Sequence, residues 1–229
     1  MVAGSCPQPK VAGVIVLAID TATADLVTGL VNTDTGESTD NILPGSRGHN
    51  ENLVPAIQGL LAAADLTFAD LDAVVVGVGP GPFTSLRIGM ATAAAIAQAR
   101  GIPVHGVTTH DAIAARISAE RVLVATDARR KEIYWATYSG GRRTAGPDVV
   151  KPADLTLPHE VDVVSVPAHI DLDVAGERVD LTPRATELVA AADLSVDPAP
   201  LTPLYLRRPD AKVPEPAPKS PAIPDVDLT

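Results

Sequence analysis

The stretch from residue 73 to residue 99 constrains the fold more than any other part of the chain. Ala73-Val-Val-Val-Gly-Val78 is a short, continuous apolar run, the pattern of a strand buried on both faces. It runs into Gly79-Pro80-Gly81-Pro82, which must turn, and then into Thr84–Ala99, whose composition predicts a helix of about four turns. Strand, glycine-proline loop and helix form one βα unit. A strand buried on both faces needs a layer on each side, so the chain reads as α/β.

The flanking patterns extend this unit in both directions. Val14–Asp20 and Leu26–Val31 are apolar runs across a short turn-like gap, which predicts a β-hairpin opening a mixed sheet. From Asn50 the apolar residues fall at 53, 54, 57, 60, 61 and 64, one face of a helix. Beyond Pro103 a second α/β half is expected, with strands at 104–107, 122–127 and 133–138 and a helix at 109–117. Between residues 151 and 203 only a strand near 161–166 and a helix near 185–192 are legible. No internal repeat is evident. Residues 1–13 read as a loose extension, and residues 209–229, with proline at 209, 214, 216, 218, 221 and 224, as a disordered tail.

Composition removes several function classes. Eighteen basic against 28 acidic side chains give a net charge of −10, and only 3% of residues are aromatic. Such a chain lacks the dense cationic field and the stacking platforms that grip nucleic acid. Three adjacent basic residues, Arg129, Arg130 and Lys131, read as a solvated turn before they read as an RNA contact. The one cysteine, Cys6, excludes an intramolecular disulfide and fits a reducing cytosol. Val14–Ile19 is too short to cross a membrane and no cleavage pattern follows it, so a soluble, cytoplasmic protein is expected.

Few residues offer chemistry. Asp20-Thr21-Ala22-Thr23, at a hairpin turn, could face a phosphate and its magnesium, or be a polar turn and nothing more. The loop Gly77-Val-Gly-Pro-Gly-Pro-Phe-Thr-Ser-Leu-Arg-Ile-Gly89 leads into a helix N-terminus, yet it lacks the Gly-Lys-Ser/Thr ending of a P-loop. Pro80 and Pro82 also carry no N–H for a phosphate, so a turn that aims the helix is the better reading. The histidines at 49, 105, 110, 159 and 169 form no i, i+4 pair, and His110 and its neighbour Asp111 do not face each other on a helix. No serine sits in a nucleophile elbow.

The helices themselves are more informative. On the second, Leu86, Met90, Ala94 and Ala97 can cover a sheet, while Ile88, Ala91, Ala95 and Ala99 form another apolar stripe. The first carries a surplus of small residues, Ala56, Gly59 and Ala63. Helices apolar on two sides pack on two sides, either against each other and the second half or against a partner.

Four segments then converge on a known family: Leu17-Ala-Ile-Asp-Thr-Ala-Thr23, Gly79-Pro-Gly-Pro-Phe-Thr-Ser-Leu-Arg-Ile-Gly89, Asp127-Ala-Arg-Arg-Lys-Glu-Ile-Tyr-Trp-Ala136 and Leu204-Tyr-Leu-Arg207. In order and spacing, from about residue 14 to 208, the chain resembles the TsaB family, non-catalytic subunits of the bacterial machinery that makes threonylcarbamoyladenosine in transfer RNA. The resemblance implies an actin-like, Hsp70-like (ASKHA) two-lobed α/β fold with mixed sheets flanked by helices. It also implies a first lobe at 14–107 that carries the dimerisation helices, and a smaller second lobe at 108–208. It further implies pairing through the first two helices with the catalytic paralogue TsaD, which transfers threonylcarbamoyl to the adenosine beside the anticodon, with the ATPase TsaE completing the set.

The catalytic paralogue carries a metal-binding His-x-Glu-Gly-His, and here Thr109 and Ile113 stand at the two ligand positions, with His110 out of register. No metal, cofactor or catalytic residue is therefore expected, and the older peptidase label of the wider family has no support. The loop departs from the family's usual form at Pro82 and Ser85, which weakens any nucleotide role carried over to it. The expected function is a scaffold that binds and activates TsaD, meeting transfer RNA only through the complex, with Ala56, Gly59, Ala63, Ile88, Ala91, Ala95 and Ala99 at the interface. The alternative is a small ATP-dependent kinase or ATPase using Asp20 and Thr21. A homodimer through the same helices, when the partner is scarce, is a third reading.

Overall fold

The computed structural model describes residues 13–46 and 48–207. The expected extension before Gly13 and the expected tail from residue 209 lie outside the described residues. Ten strands form two five-stranded mixed sheets. No helix among the described residues is long and apolar enough to cross a membrane.

The first sheet contains β1 (Ile15–Asp20), β2 (Leu26–Asn32), β3 (Ser38–Leu43), β4 (Ala73–Gly77) and β5 (Val104–Val107), in the order β3-β2-β1-β4-β5. The first three strands are an antiparallel meander, with Ala18 opposite Gly29, and β4 and β5 add in parallel, with Ala18 beside Val75. Parallel addition requires crossovers, supplied by α1 (His49–Ala63) between β3 and β4 and by α2 (Phe83–Arg100) between β4 and β5. Strand alternation then sorts the core. Leu17, Ile19, Leu26, Val74 and Val76 face Leu53, Ile57 and Leu60 of α1 and Leu86, Met90, Ala93 and Ala97 of α2.

The second sheet repeats this plan without the crossover helices. Strands β6 (Arg121–Asp127), β7 (Ile133–Ser139) and β8 (Arg142–Val150) form a meander, and β9 (Val163–Ser165) and β10 (Glu177–Val179) add in parallel on the far side of β6. Loop residues such as Leu155, Leu157 and Ile170 cover the face that helices cover in the first sheet. The repeated strand plan is not visible in the sequence patterns, because no crossover helices accompany it in the second sheet.

The other face of each sheet is covered by a helix that follows the opposite sheet's strands or joins the two halves. Helix α3 (Thr109–Ala114) follows β5 but sets Ile113 and Ala114 against Val122, Val124 and Tyr138 of the second sheet. Helix α4 (Ala185–Ala190) follows β10 but sets Ala185, Leu188 and Val189 against Val16, Ala18, Val27 and Val75 of the first. Gly29 permits that approach, because a Cβ there would lie 2.4 Å from the Ala185 Cβ. Residues from Ala185 onward, in the expected second lobe beyond residue 107, return to the first sheet and cover its second apolar face together with Ala112 of α3. The whole is a two-sheet α/β arrangement flanked by helices, with the two halves interlocked through α3 and α4.

Strands β3, β8 and the three-residue edge strand β10 show no legible pattern in the sequence. All three are edge strands with polar, half-exposed or exposed residues, and β8 carries Gly146-Pro147, tolerated only at an edge. Helices α3 and α4 end a few residues earlier than their patterns predict, at Ala114 and Ala190.

Candidate functional site

The end of β1 and the glycine-proline loop form a sealed junction. Asp20 and Thr21 are fully buried. One Asp20 carboxylate oxygen accepts the Ala22 N–H at 2.8 Å and the other accepts the Thr109 hydroxyl at 2.6 Å, while the Thr21 hydroxyl donates to the Ser85 carbonyl at 2.7 Å. Three of the four glycines of the loop motif are explained by this packing. A Cβ at Gly77 would lie 1.8 Å from Asp20 Oδ2, one at Gly81 2.5 Å from the Ala22 carbonyl oxygen, and one at Gly89 2.4 Å from Thr21 Oγ1. Burial outweighs the two hydrogen bonds and pushes Asp20 up to about 6. Asp20 and Thr21 thus commit these polar atoms to their own chain, which fits the polar-turn reading better than one in which they face a phosphate.

The two positions set against metal ligands are committed elsewhere. Thr109 holds Asp20, and Ile113 is fully buried in the core beneath α3. His110 lies 2.9 Å from the Thr126 hydroxyl through Nε2, and burial, aided by nearby Arg143, lowers it to about 3, so it is neutral. Among the described residues no group of three or more His, Cys, Asp or Glu is placed to hold a metal ion.

A cleft of about 670 Å³ lies between the two halves, lined among others by Thr23, Asp25, Ser46, His49, Asp127 and Thr182. Asp25 bridges it, accepting the Gly45 N–H at 2.9 Å and the Thr182 hydroxyl from across the cleft. This pins the β1–β2 turn to the end of β10.

The helix faces behave differently from the junction. Gly59 and Ala63 on α1 and Ala91, Ala95 and Ala99 on α2 are exposed, and Ile88 is half-buried. Ala56 is a correction: it is 8% exposed and packs in the core with Ile57, so it is not available to a partner. Ala93, not Ala94, is the fully buried member of the core stripe. No charged residue lies between Glu51 and Asp65 along α1, or between Arg87 and Arg100 along α2. Sequence reasoning missed an aromatic cluster at the start of α2. The Phe83 and Tyr205 rings are 4.8 Å apart, and the Arg87 guanidinium lies 3.9 Å above Phe83. The spacing of residues 83, 87, 91 and 95 by four was the available signal for half of it; Tyr205 stands in the Leu204–Arg207 segment, but nothing local brings it to α2 across 118 positions.

Comparison with known proteins places this arrangement. The family model described as TsaD: tRNA N6-adenosine threonylcarbamoyltransferase matches residues 42–196. An uncharacterized protein of Mycobacterium tuberculosis (strain H37Rv) is 49% identical over 198 residues, covering 86% of this chain and 93% of that one. The tRNA threonylcarbamoyladenosine biosynthesis protein TsaB of Escherichia coli K12 is 37% identical over 127 residues, 54% of each chain. The match thus spans about half the length of that TsaB, and 56% of a 49%-identical uncharacterized protein of Mycobacterium leprae. Among solved structures, an uncharacterized protein with similarity to peptidase YeaZ from Pseudomonas aeruginosa superposes with a TM-score of 0.68 at 26% identity, over 82% of this chain and all of that one. The chain therefore belongs to the TsaD tRNA N6-adenosine threonylcarbamoyltransferase family, and within it is TsaB/YeaZ-like.

Proposed function

We propose that this chain is a non-catalytic subunit in threonylcarbamoyladenosine biosynthesis, which binds a TsaD-type catalytic paralogue through the outer faces of α1 and α2 and holds it in its competent state. The process is carried over from the relatives named TsaB. The observation that carries the pairing is the helix face itself. Gly59, Ala63, Ala91, Ala95 and Ala99 are exposed, small and free of intervening charge on two adjacent helices, in a chain that is 20% charged overall. Small residues allow close helix approach, and depletion of charge marks the core of an interface. A non-catalytic role agrees with the sealed junction, where Asp20 and Thr109 satisfy each other.

The mechanism is linkage. A subunit that binds only the competent conformation of its partner raises that population in proportion to its differential affinity. TsaE and a homodimer of the free chain belong to the same proposal. A kinase or ATPase reading needs Asp20 and Thr21 at the cleft, and their burial argues against it.

The test is size-exclusion chromatography with light scattering on this chain mixed with its cognate TsaD, repeated with Ala95→Glu. A one-to-one complex that is lost on substitution is expected. No complex, together with heat from magnesium-ATP in calorimetry of the isolated chain, would overturn the scaffold in favour of the nucleotide enzyme.

A further inference from the structure

Five large apolar side chains are exposed among the described residues, and two of them, Phe83 (48%) and Tyr205 (38%), lie against each other. They come from segments far apart in sequence. Phe83 opens α2. Tyr205 is delivered by the C-terminal strap, where the Leu204 N–H donates to the Val78 carbonyl at 2.9 Å and Leu201 and Leu204 pack against the α1/α2 core. Arg87, one turn along α2, completes the cluster. Its guanidinium lies over the Phe83 ring, and its Nε–H donates to the Tyr205 hydroxyl at 3.1 Å.

This arrangement holds a cation in a fixed pose without neutralising it. Among the described residues no carboxylate pairs with Arg87. The stacked ring and the phenol fix the long side chain, which removes much of the rotamer freedom that binding would otherwise cost. With Nε engaged, the terminal Nη groups remain as paired donors, the geometry that a carboxylate accepts in bidentate fashion. Phe83, Arg87, Ala91 and Ala95 follow one another at intervals of four along α2, so the cation stands at one end of the small-residue stripe and is continuous with it.

We propose that Phe83, Arg87 and Tyr205 are the anchor of the partner-binding face, and that they receive a carboxylate side chain of the catalytic partner while Ala91 and Ala95 receive its small apolar residues. This rests on the pairing reading above. Aromatic residues and arginine are the side chains that most often carry binding energy at interfaces, and a preformed aromatic-arginine cluster beside an uncharged helix face has that composition. Charge complementarity selects an acidic group: Arg87 is the only charged residue of α2 before Arg100. The strap that carries Tyr205 is thereby part of the interface.

The experiment titrates the full chain into its cognate TsaD by calorimetry, at low and high salt, with Ala95→Glu as the reference for the face. Arg87→Ala is expected to weaken binding by about tenfold to a hundredfold and to reduce its salt dependence, and Arg87→Lys to restore little, since it lacks the fork. Tyr205→Phe, which keeps the ring and loses the hydroxyl that holds Nε, is expected to weaken binding by a smaller factor. It is also expected to be non-additive with Arg87→Ala. These side chains are exposed, and unchanged circular dichroism and melting temperature show that the variants fold. Ala95→Glu abolishing the complex while Arg87→Ala and Tyr205→Ala stay within twofold would overturn the anchor and leave the pairing standing. A complex that survives Ala95→Glu would overturn the pairing itself. Loss of self-association, or of transfer RNA binding, with TsaD affinity unchanged, would assign the cluster to another occupant and overturn the proposal.

Discussion

Replacing Asp20 by Asn tests whether the end of β1 is a sealed structural junction or a charged ligand site. In the native protein burial raises the carboxyl from the ordinary 3.8 to about 6. The native state therefore holds a proton more tightly than the unfolded chain. The carboxylate destabilises the fold at neutral pH, and this cost is removed as pH falls from about 6 towards 3.8. At 1.36 kcal/mol per pKa unit the whole effect is about 3 kcal/mol, of which about 2 kcal/mol is recovered between pH 7.5 and pH 4.5. Asparagine keeps the size and removes the charge. Its Oδ1 can accept the Ala22 N–H, and its amide can donate to Thr109 Oγ1, reversing that bond. Urea unfolding of wild type and Asp20→Asn at the two pH values isolates the effect, because every other titrating group cancels in the difference. Wild type is expected to gain about 2 kcal/mol on the variant as pH falls to 4.5, and Asp20→Asn to be the more stable of the two at pH 7.5. A difference that stays flat to within about 0.5 kcal/mol would mean that the carboxylate ionises normally in the fold, and the sealed junction would be refuted.

Other substitutions test neighbouring claims. Gly89→Ala places a Cβ 2.4 Å from Thr21 Oγ1 and is expected to lower stability by about 1–3 kcal/mol in thermal unfolding, despite the better helix propensity of alanine. Gly59→Ala meets nothing within 4 Å and lies in a helix interior, so it should raise stability by about 0.5–1 kcal/mol while weakening partner binding, which calorimetry separates. Leu188→Ala, in α4 against the first sheet, is expected to cost about 2–5 kcal/mol and to leave a single unfolding transition, as two interlocked halves require. Two transitions, with only one shifted, would show that the halves unfold separately. Lys131 has a left-handed backbone at φ 62°, so Lys131→Gly should stabilise by about 0.5–1 kcal/mol in urea unfolding.

The sequence by itself determined the elements whose signal is local. The βα unit at residues 73–99 is legible because a run of valines buried on both faces, a Gly-Pro-Gly-Pro turn and a helix follow one another without interruption. The same local reading exposed the two-sided apolar helices and the absence of imidazole at Thr109 and Ile113. Local patterns failed where water decides: β3 and β8 are edge strands whose polar residues show no apolar alternation. Tertiary structure alone decided the rest. Asp20 meets Thr109 across 89 positions, and Arg87 meets Tyr205 across 118. Ala56 sits at helical spacing with Gly59 and Ala63, yet only the packing of α1 on the sheet turns it inward. The crossing of α3 and α4 between the sheets is likewise set by which apolar face is left uncovered once α1 and α2 are in place. Such contacts depend on how finished layers meet, and no periodicity within a segment encodes that.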